Sequence, residues 1–254
     1  MKFLCLAAVY NHKQEWIETL VQSMIDQDHD DDIHIVIIDD RINGFPAQKW
    51  LHTRISPQDH KRFIYVLSME HRAANLLDKY AIGLAYADMN IQGIDAVCVI
   101  DDDDIYLTDH IAQHAEVLKT HPWSYPNKVF STFGHRFNVE GSGGRFWASS
   151  AYRRTALDAI GGYANPHDRI AEAAYDQAFL HRMQNAHSEA GHQKDPTYIY
   201  MWDMTQDNHV SGHIEDGVYR FEQIPESPAT GPLVPRYSDK AKMVLEMAKP
   251  FRAK

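Results

Sequence analysis

The chain predicts an α/β architecture with a mostly parallel central sheet covered by helices on both faces. Three observations carry the prediction. Apolar runs of strand length alternate with stretches whose apolar residues recur every three to four positions. The runs are continuous, as in strands buried on both faces. Two of them end in aspartates: residues 33–38 run into Asp39-Asp40, and Val97-Cys98-Val99-Ile100 runs into Asp101-Asp102-Asp103-Asp104. Open α/β sheets bind ligands beyond the carboxyl ends of their strands, and both acidic groups fall at such ends.

Residues 3–9 read as the first strand. The start superficially resembles a signal peptide, but its apolar run is brief and leads into a helix pattern. Over 14–27, Trp16, Ile17, Leu20, Val21, Met24 and Ile25 mark one helix face. Residues 33–38 and 63–67 are further strands. Leu76, Leu77, Tyr80, Ala81 and Leu84 stripe a second helix, and the acidic strand follows. Asp109 stands near the start of a helix over 109–119, which Pro122 and Pro126 close. His110 and His114, four apart on it, could share a metal, but a partly exposed helix surface is the expected reading. Residues 129–133 form a candidate strand. Residues 141–144 form a loop that lacks the lysine of a phosphate-binding loop. Gly161-Gly162 fits a helix C-terminus.

A helix over 172–183 turns Ala173, Asp176, Phe179, Leu180 and Met183 inward. Asp176 is thus a carboxylate on an apolar stripe. Burial there would raise its pKa and suit it to accepting a proton; a helix-start carboxylate that caps the helix or faces solvent is the alternative. Residues 198–204 read as a late strand, followed by His209 and His213. From Glu222 onward lie five of the eleven prolines, then a helix-like 238–249. This tail is expected to be a strap packed across the domain, with an oligomer contact or an acceptor-side lid as alternatives.

Net charge is 25 − 35 = −10, which disfavours a broad nucleic-acid surface. No stretch approaches membrane-span length. Cys5 and Cys98 lie in apolar strands, so buried free thiols are expected rather than a disulfide or zinc site. A reducing, cytoplasmic setting fits. The other acidic run, residues 28–32, reads as a surface loop.

Four adjacent carboxylates at the end of a buried strand repel one another, and a divalent cation would resolve that repulsion; a solvated acidic turn is the alternative. Oxygen ligands suit Mg²⁺, Mn²⁺ or Ca²⁺.

Taken together the motifs resemble a family 2-type glycosyltransferase of the GT-A fold, a Rossmann-like three-layer α/β/α architecture. The resemblance rests on four pieces in order, over residues 3 to about 213. They are Ala8-Val9-Tyr10-Asn11-His12 with the following helix and Val36-Ile37-Ile38-Asp39-Asp40; Val99 to Asp104, similar to the extended DxD motif; Ser149-Ser150-Ala151-Tyr152-Arg153-Arg154 with Ile160-Gly161-Gly162-Tyr163; and Asp176 with Arg182 six residues on. Two features depart from the family pattern: Tyr175 precedes Asp176 where an acidic residue is usual, and Arg41-Ile42-Asn43-Gly44 replaces small polar residues. The His209-Val210-Ser211-Gly212 segment resembles one seen in some phage-encoded and bacterial members.

The resemblance implies a domain over 1–221, with a nucleotide-sugar half of about 1–104 and an acceptor half of about 105–221. Residues 222–254 would be the strap. It implies transfer of a sugar from a UDP- or GDP-sugar type donor, with Mn²⁺ or Mg²⁺ on the diphosphate. Asp103 and His209 would bind the metal, with His213 in reserve. Asp101 would contact the ribose or stand behind the metal ligands, with Asp102 and Tyr10 also on the nucleotide. Asp39 would accept from the base, with Asp40 beside it. Asp176 would be the base of an inverting displacement, with Glu172 in reserve. Trp147 and Ser149 would face sugar or acceptor. The acceptor would be a saccharide or lipid-linked saccharide, with a modified DNA base as the minority option. Rival readings are a GT-A-like nucleotidyltransferase, which should carry a Gly-rich basic N-terminal loop that Tyr10-Asn11-His12 does not supply, and a non-catalytic nucleotide- or cation-binding module.

Overall fold

A computed structural model of the chain describes residues 1–11, 13–41, 43–45, 53–54, 62–132, 136–142, 149–163, 175–201, 212–215, 218–221 and 227–252. Its first half alternates strand and helix: β1 (Phe3–Val9), α1 (Gln14–Ile25), β2 (Ile33–Asp39), β3 (Thr53–Arg54), β4 (Arg62–Ser68), α2 (Leu76–Asn90) and β5 (Ala96–Asp101). Then come β6 (Ile105–Tyr106), α3 (His110–Leu118), β7 (Trp123–Pro126), β8 (Lys128–Ser131), β9 (Asn138–Gly141), β10 (Ala151–Arg153), α4 (Arg154–Ala159), α5 (Tyr175–Ala186), β11 (Ala190–Gln193) and β12 (Tyr198–Tyr200). A hairpin, β13 (Gly212–Glu215) and β14 (Val218–Phe221), and α6 (Asp239–Arg252) complete the described elements.

The main sheet has the order β11-β7-β10-β5-β1-β2-β4-β3. β1 runs parallel to β2 and β5, and β2 parallel to β4, while β10 is antiparallel to β5 and β7. The expected mostly parallel sheet is therefore present. Alternate side chains of its central strands feed two separate cores, because successive residues of a strand point to opposite faces. Leu4, Leu6, Val36, Ile38, Val97 and Val99 pack with Leu77, Tyr80 and Leu84 of α2 and Phe179, Leu180 and Met183 of α5. Cys5, Ala7, Ile35, Ile37, Cys98 and Ile100 pack with Ile17, Leu20, Val21 and Met24 of α1 and Ile111 and Leu118 of α3. Two cores on one sheet are the physical content of a three-layer fold. Cys5 and Cys98 are buried free thiols, as expected.

A second sheet, β6-β12-β8-β9, stands beside the first. It forms a third core with Trp16 of α1 and with Ala241, Val244 and Ala248 of α6. No helix of the described residues is long and apolar enough to cross a membrane.

Several expectations shift. The first helix ends at Ile25, with Asp26 as its C-cap, instead of Gln27. The helix containing Asp176 runs Tyr175–Ala186; residues 164–174, including Ala173 and Glu172, lie outside the described residues. The strand expected over 129–133 is Lys128–Ser131. Beyond Met201, the expected late strand also leaves the described residues. The clearest correction concerns His110 and His114: both are fully buried, not partly exposed. They lie on the α3 face that carries Ile111 and Leu118 into the core.

Candidate functional site

Register places the two acidic strand ends together. Val9 pairs with Asp39 on one side of β1, and Ala8 pairs with Asp101 on the other. With strands ~4.8 Å apart, the two aspartate backbones flank β1 across roughly 10 Å at one edge of the sheet.

At the end of β5 the chain turns sharply. Asp102, Asp103 and Asp104 are buried despite their charge, with Asp103 only 6 % exposed. Carboxylate oxygens of Asp101, Asp103 and Asp104 lie within 4.8 Å of one another. Asp104 accepts from the Tyr198 hydroxyl and from Met201 N at 2.8 Å. Its pKa is nonetheless pushed well up, by burial first and then by the charges of Asp103 and Asp101. The Tyr106 hydroxyl accepts from the Asp101 amide at 2.8 Å, and its own pKa is raised by burial and then by Asp101 and Asp104. Two hydrogen bonds to Asp104 thus fail to offset the crowding of negative charge. A hard divalent cation is the group that three converging carboxylates fit. Asp102 does not join this triad; it accepts from Tyr10 N at 2.8 Å and ties the end of β1 to the acidic turn.

The end of β2 is built differently. Asp39 is 1 % exposed. Its Oδ1 accepts from Arg41 N at 3.1 Å and Arg41 Nε at 2.9 Å. Its Oδ2 accepts from Arg41 Nη2 at 2.9 Å and Phe45 N at 2.9 Å. Four donors fill the roughly four acceptor sites of a carboxylate. Gly44 closes over it: a Cβ there would sit 2.4 Å from Asp39 Oδ2, so only glycine lets the backbone pass. Asp40 is held by Lys79, whose Nζ lies 2.7 Å from Asp40 Oδ1 and also donates to Val9 O at 2.7 Å. Ala73 N donates to Asp40 Oδ2 at 3.1 Å. Ala73 also lines a surface cleft of about 460 Å³ with His71 and Arg72, so the sheet edge meets solvent beside Asp40.

Lys79 and Arg41 are functional-site residues the motifs did not single out. Both had a sequence signal. Lys79 falls on the apolar stripe of α2, three residues after Leu76, where a cation needs a buried partner. Arg41 follows the aspartate pair directly. Removing one partner of a buried ion pair leaves an uncompensated charge, at about 3–5 kcal/mol. Lys79→Met is therefore expected to lower unfolding free energy by that order in urea titration, and Lys79→Met/Asp40→Asn to recover much of it. Equal losses in the single and double variants would contradict the pairing.

The remaining candidates are dispersed. Asp176 sits in the first turn of α5, half-buried at the rim of the stripe that continues through the buried Phe179, Leu180 and Met183. It accepts from Gln177 Nε2 at 3.1 Å. Its half-burial falls between the two readings of the pattern, a buried proton acceptor and a solvent-facing helix-start carboxylate. Arg182 donates to the carbonyls of Ile160 and Gly162, holding the turn after α4 against α5. Gly161 and Gly162 there have φ of +79° and +66°, left-handed conformations that suit glycine at a helix end. Tyr10 is half-buried. Ser149, expected to face sugar or acceptor, is instead fully buried, and its carbonyl accepts from His114 Nε2 at 2.9 Å. Trp147 and His209 lie outside the described residues.

A second group with metal-ligand chemistry, Cys98, His110 and His114, lies in the core between β5 and α3. Hydrogen bonds assign it a structural state. Thr197 Oγ1 donates to Gln193 Oε1 and so accepts from His110 Nδ1 at 2.8 Å. His110 Nε2 then faces Cys98 Sγ at 3.9 Å. His114 lies 2.8 Å from Ser124 Oγ through Nδ1 and donates to Ser149 O through Nε2. Each ring keeps one proton. Burial, with the neighbouring imidazole adding to it, holds His110 well below the usual histidine range. Burial pushes His114 down to about 3.

No protein-family model matches the chain, and no curated protein matches it by sequence. Solved structures do. TarS from S. aureus, residues 1–349, in complex with UDP-GlcNAc aligns at TM-score 0.59 and 18 % identity, over 81 % of this chain and 60 % of that one. A second crystal structure of the same fragment gives 0.58 and 17 %, over 79 % and 60 %. The mannosyltransferase PcManGT from Pyrobaculum calidifontis, in complex with GDP-Man and Mn²⁺, gives 0.50 and 15 %, over 80 % and 57 %. The chain thus spans about three-fifths of these relatives' length. At this identity the likeness establishes the fold: the chain has the GT-A fold of nucleotide-sugar transferases.

Proposed function

We propose that this GT-A-fold chain is a metal-dependent glycosyltransferase that moves a sugar from a nucleoside-diphosphate donor to an acceptor hydroxyl. The observation that carries the reading is the self-repelling Asp101–Asp103–Asp104 triad at the end of the central strand, with Asp103 and Asp104 buried and Asp101 half-buried. Neighbours of the same fold described with UDP-GlcNAc, or with GDP-Man and Mn²⁺, support a UDP- or GDP-sugar donor and Mn²⁺ or Mg²⁺.

Asp103 would be the first ligand for the cation, with Asp101 and Asp104 beside it, and His209 would complete the set. Bound there, the cation would stabilise the negative charge that grows on the leaving diphosphate. Tyr10 and Asp102, joined by their hydrogen bond, would contact the nucleotide. Asp39 and Asp40 line its far side. Asp176 takes the proton from the acceptor hydroxyl. The acceptor oxygen then bonds to the anomeric carbon as the bond from that carbon to the diphosphate oxygen breaks, with inversion. Trp147 would stack on the sugar or acceptor. A saccharide or lipid-linked saccharide is the proposed acceptor, and a modified DNA base is the alternative; the net charge of −10 disfavours the latter.

Release of nucleoside diphosphate from a panel of nucleotide sugars, with and without Mn²⁺, tests this reading. Asp176→Asn is expected to lower transfer by about 10²–10⁴-fold, the range for a general base, while nucleotide affinity changes less than threefold. Transfer at the wild-type rate would remove Asp176 from the base role.

A further inference from the structure

The Asp39 carboxylate poses a problem for nucleotide recognition. A base bound at this end of β2 presents N–H donors, such as N3–H of uracil or N1–H of guanine, to a carboxylate. Asp39 already holds four donors, three from Arg41 and one from Phe45 N. The Gly44 backbone lies over the same oxygens, too close for even a Cβ. The pair is fully buried, with neither side chain exposed. A base can reach Asp39 only by exchange, displacing guanidinium donors.

Arg41 is held from behind by the C-terminal segment. Its Nη1 donates to Ser227 O at 2.7 Å. Ala229 N donates to Asn43 O at 2.9 Å, clamping the loop that carries Gly44. The segment is in turn fastened along α1. Thr230 N donates to Gln14 Oε1 at 2.7 Å, Gln14 Nε2 to Pro232 O at 3.1 Å, and Arg236 Nε to Glu18 Oε2 at 2.8 Å. The loop after β2 and the segment 227–236 thus form one hydrogen-bonded unit closing on Asp39.

We propose that Arg41 is an internal occupant of the nucleobase position on Asp39, latched there by residues 227–236, and that nucleotide binding displaces Arg41 and loosens the latch. The proposal rests on the glycosyltransferase reading above. It assigns the C-terminal strap a role in donor admission. Nucleotide affinity is then the affinity of the open state reduced by the fraction of molecules that are open. Anything that weakens the latch should tighten nucleotide binding.

The test titrates UDP and GDP, each with Mn²⁺, into wild type and Arg41→Ala by calorimetry. Whichever nucleotide binds wild type is expected to bind Arg41→Ala at least threefold more tightly, because the competitor is gone. Equal or weaker binding overturns the latch, since an Arg41 that contacts nucleotide or merely shapes the pocket would lose affinity on truncation. Arg41→Ala leaves a buried carboxylate without its partner and can fail to fold. Hydrogen exchange of the wild-type protein covers that case. At saturating nucleotide, the Ala229 and Thr230 amides are expected to exchange several-fold faster; unchanged or slower exchange overturns the proposal. If wild type binds neither nucleotide, the glycosyltransferase reading itself fails, and the latch falls with it.

Discussion

Asp103→Ala is expected to lower metal-dependent sugar transfer by on the order of 10²–10³-fold or more, the cost of losing one preorganised electrostatic stabiliser of a developing anion. The metal-free variant should melt no lower than wild type. Both effects come from one geometry. Three carboxylates converge within 4.8 Å at the end of β5. Asp104 is driven toward its protonated form by burial and by the charges of Asp103 and Asp101. Deleting one of these charges relieves repulsion in the free protein but removes a ligand from the complex. Most core substitutions lower stability, so the opposed signs separate this role from a packing role. Turnover and thermal denaturation, each in EDTA and in Mn²⁺, check it. A variant that keeps wild-type turnover contradicts the role of Asp103.

Stability is expected to fall steeply as pH drops below about 6.5, the ordinary histidine value. His110 and His114 are both depressed in the folded state, His114 to about 3. Between those limits the unfolded chain binds protons that the folded chain excludes, so acidification favours unfolding. A histidine held to about 3 contributes about 1.4 kcal/mol per pH unit below 6.5, so His114 would cost roughly 2 kcal/mol by pH 5, and His110 adds in the same direction. That is a large fraction of a typical 5–15 kcal/mol stability. Asp104 works in the opposite direction: its raised pKa makes the folded state hold a proton that the unfolded chain has lost, so its ionisation cost eases on acidification. Urea titrations between pH 7 and 5 on wild type and His114→Gln isolate the histidine share. The variant's slope against pH should be shallower by about 1.4 kcal/mol per unit. Parallel slopes would mean His114 titrates normally.

The central strands were legible because continuous apolar runs buried on both faces leave little else for residues 3–9, 33–39 and 96–101 to be. Placing both acidic groups at one sheet edge needed only the rule about strand ends, and the register bears it out. Half of the second sheet was hidden. β8 and β12 fall in the strands expected over 129–133 and 198–204, but β6 and β9 are two and four residues long, too short for a period to show. The histidines of α3 were misjudged by residue type. Their spacing with Ile111 and Leu118 marks a buried face, and Thr197, Ser124 and Ser149, distant in sequence, make that burial affordable. The Asp39 clamp was missed for a different reason. An aspartate at a strand end invites a ligand, and Arg41, two positions on, signals a nearby cation without showing that its guanidinium already fills that carboxylate.

The central claim is that the aspartates closing β5 hold a cation against a diphosphate. A thermal-shift panel of UDP- and GDP-sugars, run with Mn²⁺ and with EDTA, tests it most directly. At a hundredfold excess over Kd a ligand stabilises by about 2.7 kcal/mol, which for a chain of this size is roughly 5–10 °C. The account predicts a shift of that size for at least one donor in Mn²⁺, its loss in EDTA, and its loss in Asp103→Ala. A donor shift that persists unchanged in EDTA or in Asp103→Ala, or no shift with any donor, would contradict it.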